Sequence, residues 1–181
     1  MKKLLLLIAA MAVVCLACND NSPSTLNAER KDSSSTAASD KEFKETRNRK
    51  IVMESIEAFN RHDVDAVFKD ADPNSIDYGD GRMPPVKGID SAKAGVKAWL
   101  AAVPDVKGED FKVVADGDIV IVWGKWTGTW KNDFMGQKAT GKPYRIYDAD
   151  IFKMSEDGKV LEHHSIQSSR AVAFQIGMKM H

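Results

Sequence analysis

The sequence predicts an α+β domain in which helices come first and an antiparallel sheet follows. Up to Pro104, apolar residues recur at spacings of three and four, the period of an amphipathic helix. Beyond Asp105 they alternate with polar residues, the period of a half-buried strand. Asp-Gly pairs at 116–117 and 157–158 separate the alternating runs, as hairpin turns do. Helices followed by an antiparallel meander are typical of the α+β class.

Three helices are predicted before the sheet. The first spans Lys41 to Asn60, the second is short and capped by Asp63, and the third is capped by Asp90 and ends before Pro104. Their buried faces are expected to carry Val52, Ile56 and Phe59, then Val64, Val67 and Phe68, then Val96, Trp99, Leu100 and Val103.

The strands are predicted from alternation and from the turns between them. A short strand at 76–78 precedes the third helix. The final segment, 172–178, is predicted to be a short helix or strand. The four strands of the meander are placed at 111–115, 119–130, 144–154 and 159–169.

The N-terminus has the pattern of an export signal. Lys2 and Lys3 precede an apolar run at 4–14 that is too short to span a bilayer as a helix. The run ends at Val14-Cys15-Leu16-Ala17-Cys18, which resembles a bacterial lipobox with Cys18 as the lipidated residue. The alternative is a plain secretory signal cut nearby. Both readings place the domain outside the cytoplasm, in the bacterial cell envelope.

Three regions follow from this signal. Residues 1–17 are predicted to be a lipoprotein signal peptide, and residues 43–181 the folded domain. The segment between them, 18–42, is predicted to be the lipidated cysteine and a disordered tether, because it holds too little apolar surface to offset its ordering entropy. Contact with the membrane is expected through the lipid anchor only.

Charge and cysteine content exclude several classes of function. The chain has 26 basic and 26 acidic residues, so it lacks the excess of positive charge that a nucleic-acid-binding protein uses. Its two cysteines, Cys15 and Cys18, are too few for a disulfide framework or a set of zinc fingers.

Seven short fragments in the order of one known family lie between residues 58 and 177. The fragments are Ala58-Phe59-Asn60 with Asp63, Ala102-Val103-Pro104-Asp105, Ala115-Asp116-Gly117-Asp118, Thr127-Gly128-Thr129, Ala139-Thr140-Gly141-Lys142, Asp157-Gly158-Lys159-Val160-Leu161-Glu162-His163 and Gln175-Ile176-Gly177. With these fragments the chain resembles the SnoaL-like polyketide cyclases, or ester cyclases, of the nuclear-transport-factor-2-like superfamily. The resemblance implies a cystatin-like cone, in which a bent antiparallel sheet wraps helices and leaves a pocket, and it implies a homodimer formed through the outer sheet face.

Departures from the family pattern argue against the cyclase reaction. The family's acid–base carboxylate falls on Ser168, which cannot take up a proton at neutral pH as a carboxylate does. Where the family has Gly-Thr-His, this chain has Gly128-Thr129-Trp130, so a tryptophan replaces the histidine. Where the cyclases often place a pocket histidine, this chain has Asp77 and Tyr78.

Hairpin geometry predicts an acid–base pair. If the turn at 156–158 pairs Ser155 with Lys159, Asp150 faces His164 across the two strands. A neighbouring carboxylate favours the charged imidazole, so this pair is the candidate catalytic site. The alternative is a purely structural hydrogen bond. Because side chains alternate along a strand, the same sheet face is expected to carry Asp148 and Ser168.

Aromatic residues predict a ligand pocket. Trp126 and Trp130 are expected on one strand face that they share with Gly124 and Gly128, which would leave a concave apolar surface. The alternative is that the rings fill the core. The remaining predicted pocket residues are Trp99 on the third helix and Asp77, Tyr78, Asp148 and Ser168.

No metal or other cofactor is predicted. His163 and His164 are adjacent on a strand and therefore point to opposite faces, so both cannot bind one ion.

Three functions are compatible with these observations. The leading prediction is an exported lipoprotein that binds a small, largely apolar molecule, with or without catalysis. The first alternative is a SnoaL-like cyclase, isomerase or lyase that uses Asp150 and His164 as acid and base. The second is a dimeric protein-interaction module.

Overall fold

The architecture is α+β, as predicted. A computed structural model describes residues 26–166 and 168–180, with side chains from residue 36 onward except that of Ser168. The predicted signal peptide and Cys18 lie outside the described residues. The elements in chain order are α1 (Leu26–Asn60), α2 (Val64–Val67), β1 (Ala71–Asp77), β2 (Val86–Lys87), α3 (Ile89–Ala102), β3 (Lys107–Asp116), β4 (Ile119–Thr129), β5 (Pro143–Met154), β6 (Val160–Ser165) and α4 (Ser168–Ile176).

The six strands form one sheet in the order β2-β1-β6-β5-β4-β3. Strands β3 to β6 form the predicted antiparallel meander. Strand β1 lies parallel to β6, so the sheet is mixed and one parallel pairing adds to the predicted antiparallel arrangement. The two strands are far apart in sequence and no hairpin joins them, which leaves a parallel alignment open to them.

Two apolar clusters hold the helices against the sheet. In the first, Val52 and Ile56 of α1 pack on Val120, Val122 and Met154 of β4 and β5. In the second, α3 and α4 pack beside the far end of β4 and β5, and its most deeply buried members are Val103, Trp130 and Ile176. The concave face of the sheet is therefore covered by helices, and a binding site on that face must lie in the gaps between them.

The helix ends differ from the prediction in three places. Helix α1 begins at Leu26 rather than Lys41, so part of the segment predicted to be a disordered tether is helical. Residues 26–60 contain no glycine or proline, which is compatible with an uninterrupted helix. Helix α3 begins at Ile89 after Gly88, so Asp90 lies inside its first turn and is not the cap. The chain that was predicted to continue as a strand to residue 169 turns into α4 at Ser168.

Two other predictions are confirmed. Asp63 caps α2, where its carboxylate accepts a hydrogen bond of 3.1 Å from the backbone N–H of Ala66. The final segment is a helix, α4. Within residues 26–166 and 168–180, no helix is both long and apolar enough to cross a membrane.

Candidate functional site

A β-bulge between β5 and β6 changes which histidine faces the concave side of the sheet. The predicted hairpin is present, because the N–H of Ser155 donates to the carbonyl of Lys159 at 2.8 Å. Met154 pairs with Val160, but the next pair is Lys153 with Glu162, so one extra residue lies in β6. A slip of one residue exchanges the two faces of a strand. The predicted pairing of Asp150 with His164 is therefore wrong.

His163 occupies the position that was predicted for His164. Its Nε2 lies 3.3 Å from Oδ1 of Asp150 on β5, and its Nδ1 lies 3.0 Å from Oδ1 of Asp77 on β1. The parallel pairing of β1 with β6 places Asp77 directly beside His163. We call Asp77, His163 and Asp150 the acid–histidine cluster.

The surroundings of His163 keep its imidazole protonated. A carboxylate oxygen can only accept hydrogen bonds, so a ring with one carboxylate at each nitrogen is satisfied as a cation with two N–H donors. Burial by itself lowers the pKa of His163, but the hydrogen bonds and charges of Asp150 and Asp77 raise it to about 10. At neutral pH the cluster thus holds a cation between two carboxylates.

Asp77 is the member of the cluster that reaches a cavity. Although burial raises the pKa of its carboxyl, the hydrogen bond and charge of His163 and the N–H of Gly79, at 2.8 Å, hold that pKa below its usual value. Both hydrogen bonds that Asp77 makes with described residues use Oδ1. Its Oδ2 makes no hydrogen bond with any residue that the structure describes.

The cavity beside Asp77 is small and largely apolar. It has a volume of about 160 Å³ and lies between β1, β2 and α3, closed on one side by Phe59 at the end of α1. Trp99 lies in its wall, as the prediction of a pocket requires. The described residues that line it are Phe59, Asp77, Val86, Ser91, Ala92, Gly95, Val96 and Trp99.

A larger hollow of about 520 Å³ lies around His62 and Lys97, between α2 and α3. It shares no lining residue with the smaller cavity, and it is a shallow groove open to solvent. The smaller cavity is the better candidate because it adjoins the acid–histidine cluster.

Tyr78 and His164 lie on the opposite face of the sheet from the cluster. Their rings stack, with centroids 4.5 Å apart and planes at 7°. Nε2 of His164 also lies 3.6 Å from a carboxylate oxygen of Glu162. Because neighbouring residues on a strand point to opposite faces, neither residue shares the cavity with Asp77, and both are removed from the candidate site.

Two of the predicted pocket tryptophans belong to the core. Trp130 is 1% exposed, and Trp126 packs edge-on against Phe59 and Phe111. The strand glycines leave no open surface between them. A Cβ on Gly124 would lie 2.3 Å from the ring of Phe111, and one on Gly128 would lie 2.5 Å from Val103. The rings of Trp126 and Trp130 thus fill the core, which was the alternative prediction.

Asp148 also lies away from the cavity lining. Asp148 is 2% exposed, and its Oδ1 accepts hydrogen bonds from the backbone N–H groups of Ala149 at 2.8 Å and Ile166 at 3.1 Å. It shares the concave face with Asp150, as predicted, but it lies beneath the surface. Ser168 opens α4, and its side chain lies outside the described part of the chain. Within that part, no group of three or more His, Cys, Asp and Glu residues could hold a metal ion.

The family model of the SnoaL-like polyketide cyclases matches residues 50–176, which is most of the chain. The chain belongs to the SnoaL-like polyketide cyclase family. The match begins inside α1 and ends at the last residue of α4, so the acid–histidine cluster and the cavity both lie within the SnoaL-like domain. No protein of curated function gives a match.

Solved structures share this SnoaL-like fold. AclR from Streptomyces galilaeus, assigned as a hydroxylase, is 25% identical with a TM-score of 0.61, over 74% of this chain and 97% of its own. A protein from Jannaschia sp. CCS1 assigned as a SnoaL-like polyketide cyclase is 21% identical with a TM-score of 0.68, over 76% and 96%. IdmH from Streptomyces antibioticus, assigned as a polyketide cyclase, is 22% identical with a TM-score of 0.60, over 72% and 98%.

Proposed function

We propose that this SnoaL-like domain binds a small, largely apolar molecule in the cavity beside Asp77. The observation that carries the proposal is that, among the described residues that line the cavity, Asp77 is the one charged residue and the others are apolar or small. Sites for small molecules typically combine an apolar wall with a few fixed polar groups that orient the ligand. Here the fixed group is a carboxylate, so the bound molecule presents a hydrogen-bond donor to it.

The acid–histidine cluster supports this proposal because it holds Asp77 ready before the ligand arrives. Oδ1 is held by His163 and by the backbone N–H of Gly79, so the carboxylate does not rotate freely. A polar group that is already positioned costs less to order when a ligand binds. The side chain of Asp77 is 38% exposed, which leaves it accessible from the cavity.

Acid–base catalysis at the same site is the second candidate function. In its favour, Asp77 presents a carboxylate oxygen to an apolar cavity, where it could accept a proton from a bound molecule. Against it, the pKa of Asp77 is lowered, which makes the carboxylate a weak base, and the pKa of His163 is about 10, so the imidazolium does not release its proton at neutral pH. We therefore rank binding above catalysis.

Cyclohexanol is a suitable first probe because it combines a compact apolar ring with one hydroxyl donor. We expect saturable binding, seen as NMR shifts of the backbone amides of residues that line the cavity. Asp77→Asn is expected to weaken binding by roughly tenfold or more, since a hydrogen bond to a charged acceptor contributes about 1.5–3 kcal/mol. Ala92→Leu, which fills the cavity without changing charge, is expected to abolish it.

Asp90→Asn is the matched control for that experiment. Asp90 lies in the first turn of α3, beside two lining residues, but it is exposed and does not line the cavity. We expect its affinity for cyclohexanol to equal that of the wild type. Equal affinities for wild type, Asp77→Asn and Ala92→Leu would contradict the proposal. Conversion of the bound alcohol, lost in Asp77→Asn, would favour catalysis instead.

We also propose that a second copy of the chain covers the outer face of the sheet. Three large apolar side chains are exposed there on neighbouring strands: Val114 at 61%, Trp123 at 46% and Tyr147 at 47%. The rings of Trp123 and Tyr147 stack at 5.1 Å and form one continuous surface. Exposed apolar surface of this kind is typical of an interface.

Trp123→Lys tests the proposed dimer. A charge placed in an apolar contact is costly to desolvate, so we expect the dimer to dissociate at a concentration at least about tenfold higher than for the wild type. Sedimentation at several concentrations measures this. Phe174→Lys on α4 is the control, because Phe174 is 88% exposed and lies away from this face. A wild-type protein that is monomeric at every concentration would refute the dimer.

A further inference from the structure

The charges around the cavity do not balance. The acid–histidine cluster contains two carboxylates and one imidazolium, which leaves one net negative charge beside the cavity. In the described part of the chain, no lysine or arginine lines the cavity. An anionic ligand would therefore be repelled by the net negative charge of the cluster, and a neutral ligand would leave that charge uncompensated. A cation would neutralise it.

The apolar part of the lining is also suited to a cation. Two aromatic side chains, Phe59 and Trp99, line the same cavity as Asp77. Aromatic rings attract ammonium groups and, unlike another carboxylate, also accommodate the alkyl part of an organic cation. A strongly hydrated inorganic ion would gain nothing from these rings.

The cavity volume limits the size of the ligand. Pockets for drug-sized molecules measure about 300–1,000 Å³. At about 160 Å³ and partly open to solvent, this cavity can enclose a single ring or a short branched chain, whereas a larger ligand would extend beyond it.

We propose that the SnoaL-like cavity selects small primary or secondary alkylammonium compounds. The ammonium group donates to Oδ2 of Asp77, and the alkyl group contacts Phe59, Val96 and Trp99. This inference rests on the proposed binding function and specifies the class of ligand. His163 acts as a positioning residue that fixes Asp77 and does not touch the ligand.

Three compounds that share one ring test the proposal at pH 7: cyclohexylammonium, cyclohexanol and cyclohexanecarboxylate. Titration calorimetry is expected to give cyclohexylammonium an affinity at least about tenfold above that of cyclohexanol, because the ammonium adds an attraction between opposite charges to the hydrogen bond that both compounds donate to the carboxylate. No binding is expected for the carboxylate. In Asp77→Asn the ammonium compound should lose its advantage and bind within about threefold of the alcohol.

Asp90→Asn again serves as the control. Here it shows whether losing an exposed carboxylate that does not line the cavity also weakens the binding of the ammonium compound. It should retain the preference for the ammonium compound in full. If Asp77→Asn retained that preference as well, the cation would be binding elsewhere and the inference would be overturned.

The outcome separates the two proposals. If cyclohexanol binds the cavity as tightly as cyclohexylammonium, the cation preference is refuted and the binding function stands. If none of the three compounds binds, both are refuted. For any compound that binds, amide shifts that map to Phe59, Val96 and Trp99, and that disappear in Ala92→Leu, identify the cavity as its site.

Discussion

Replacing His163 by glutamine is expected to lower the free energy of unfolding by about 3 kcal/mol at pH 7. His163 is the cation between Asp77 and Asp150, and its removal leaves two partly buried carboxylates facing each other across a neutral amide. Breaking a buried ion pair on one side typically costs about 3–5 kcal/mol. The side chain of His163 is 28% exposed, so water screens part of that loss and the lower end applies.

His164→Gln is the matched control for this substitution. The two histidines are neighbours on β6, but His164 lies on the other face, is 41% exposed and makes one stacking contact with Tyr78. We expect it to change stability by less than about 1 kcal/mol in urea unfolding at pH 7.

A double variant tests whether charge is the cause. In His163→Gln with Asp150→Asn, only one carboxylate remains in the cluster, so part of the lost stability should return. Equal destabilisation by the two histidine substitutions, or no recovery in the double variant, would contradict the assignment of His163 as the cation.

The stability of the wild type is expected to decrease as pH rises from about 6.5 to about 10. An unfolded histidine has a pKa of about 6.5, whereas His163 in the folded protein has a pKa of about 10. Between these two pKa values the folded state retains a proton that the unfolded state has released. The pairing of His163 with its carboxylates therefore contributes its full stabilisation below about pH 6.5, and that contribution is lost as pH rises through about 10. The slope for one such group is at most about 1.4 kcal/mol per pH unit, and partial exposure reduces it.

Asp77 acts at the other end of the pH range. Its pKa is lowered by His163 and Gly79, so its contribution is present above the usual pKa of an aspartate, about 3.8, and is lost as pH falls further. Urea unfolding at pH 6, 7.5 and 9 measures the alkaline decrease, and in His163→Gln the curve should be flatter over that interval. Parallel curves for the two proteins would show that another group causes the decrease.

Much of the fold could be predicted because it depends on local pattern. The helical spacing of Val96, Leu100 and Val103 and the alternation along β4 are set by which face is buried, and the Asp157-Gly158 turn was placed correctly. The parallel pairing of β1 with β6 could not be predicted, since it joins segments that no turn connects.

The candidate site was predicted only in part, and a single residue explains the error. Asp77 and Asp150 were identified, but the extra residue in β6 moved His163 to the inner face and His164 to the outer one. Nothing in the sequence around Leu161 distinguishes a bulge from a regular strand. In the structure, by contrast, His163 lies between Asp77 and Asp150, with one carboxylate at each ring nitrogen.

The aromatic pocket was predicted beside β4, whereas the cavity lies beside β1, and the reason is similar. The glycines of β4 do separate Trp126 from its neighbours, but side chains distant in sequence, Phe111 and Val103, fill the spaces. Trp99 and Phe59 line the cavity because α3 and the end of α1 converge beside β1. The spacing of residues in the sequence predicts which face of a helix or strand they share. Whether a cavity forms beside that face depends on the side chains that other elements pack against it.

The protonation of His163 is the most direct test of the acid–histidine cluster and of the charge beside the cavity. ¹⁵N NMR of the imidazole nitrogens at pH 8 distinguishes a neutral ring, with one protonated nitrogen, from an imidazolium, with two. We expect both nitrogens of His163 to carry a proton at that pH, and His164, observed in the same spectrum, provides the internal comparison. A neutral His163 with a single protonated nitrogen at pH 8 would contradict the cluster as described.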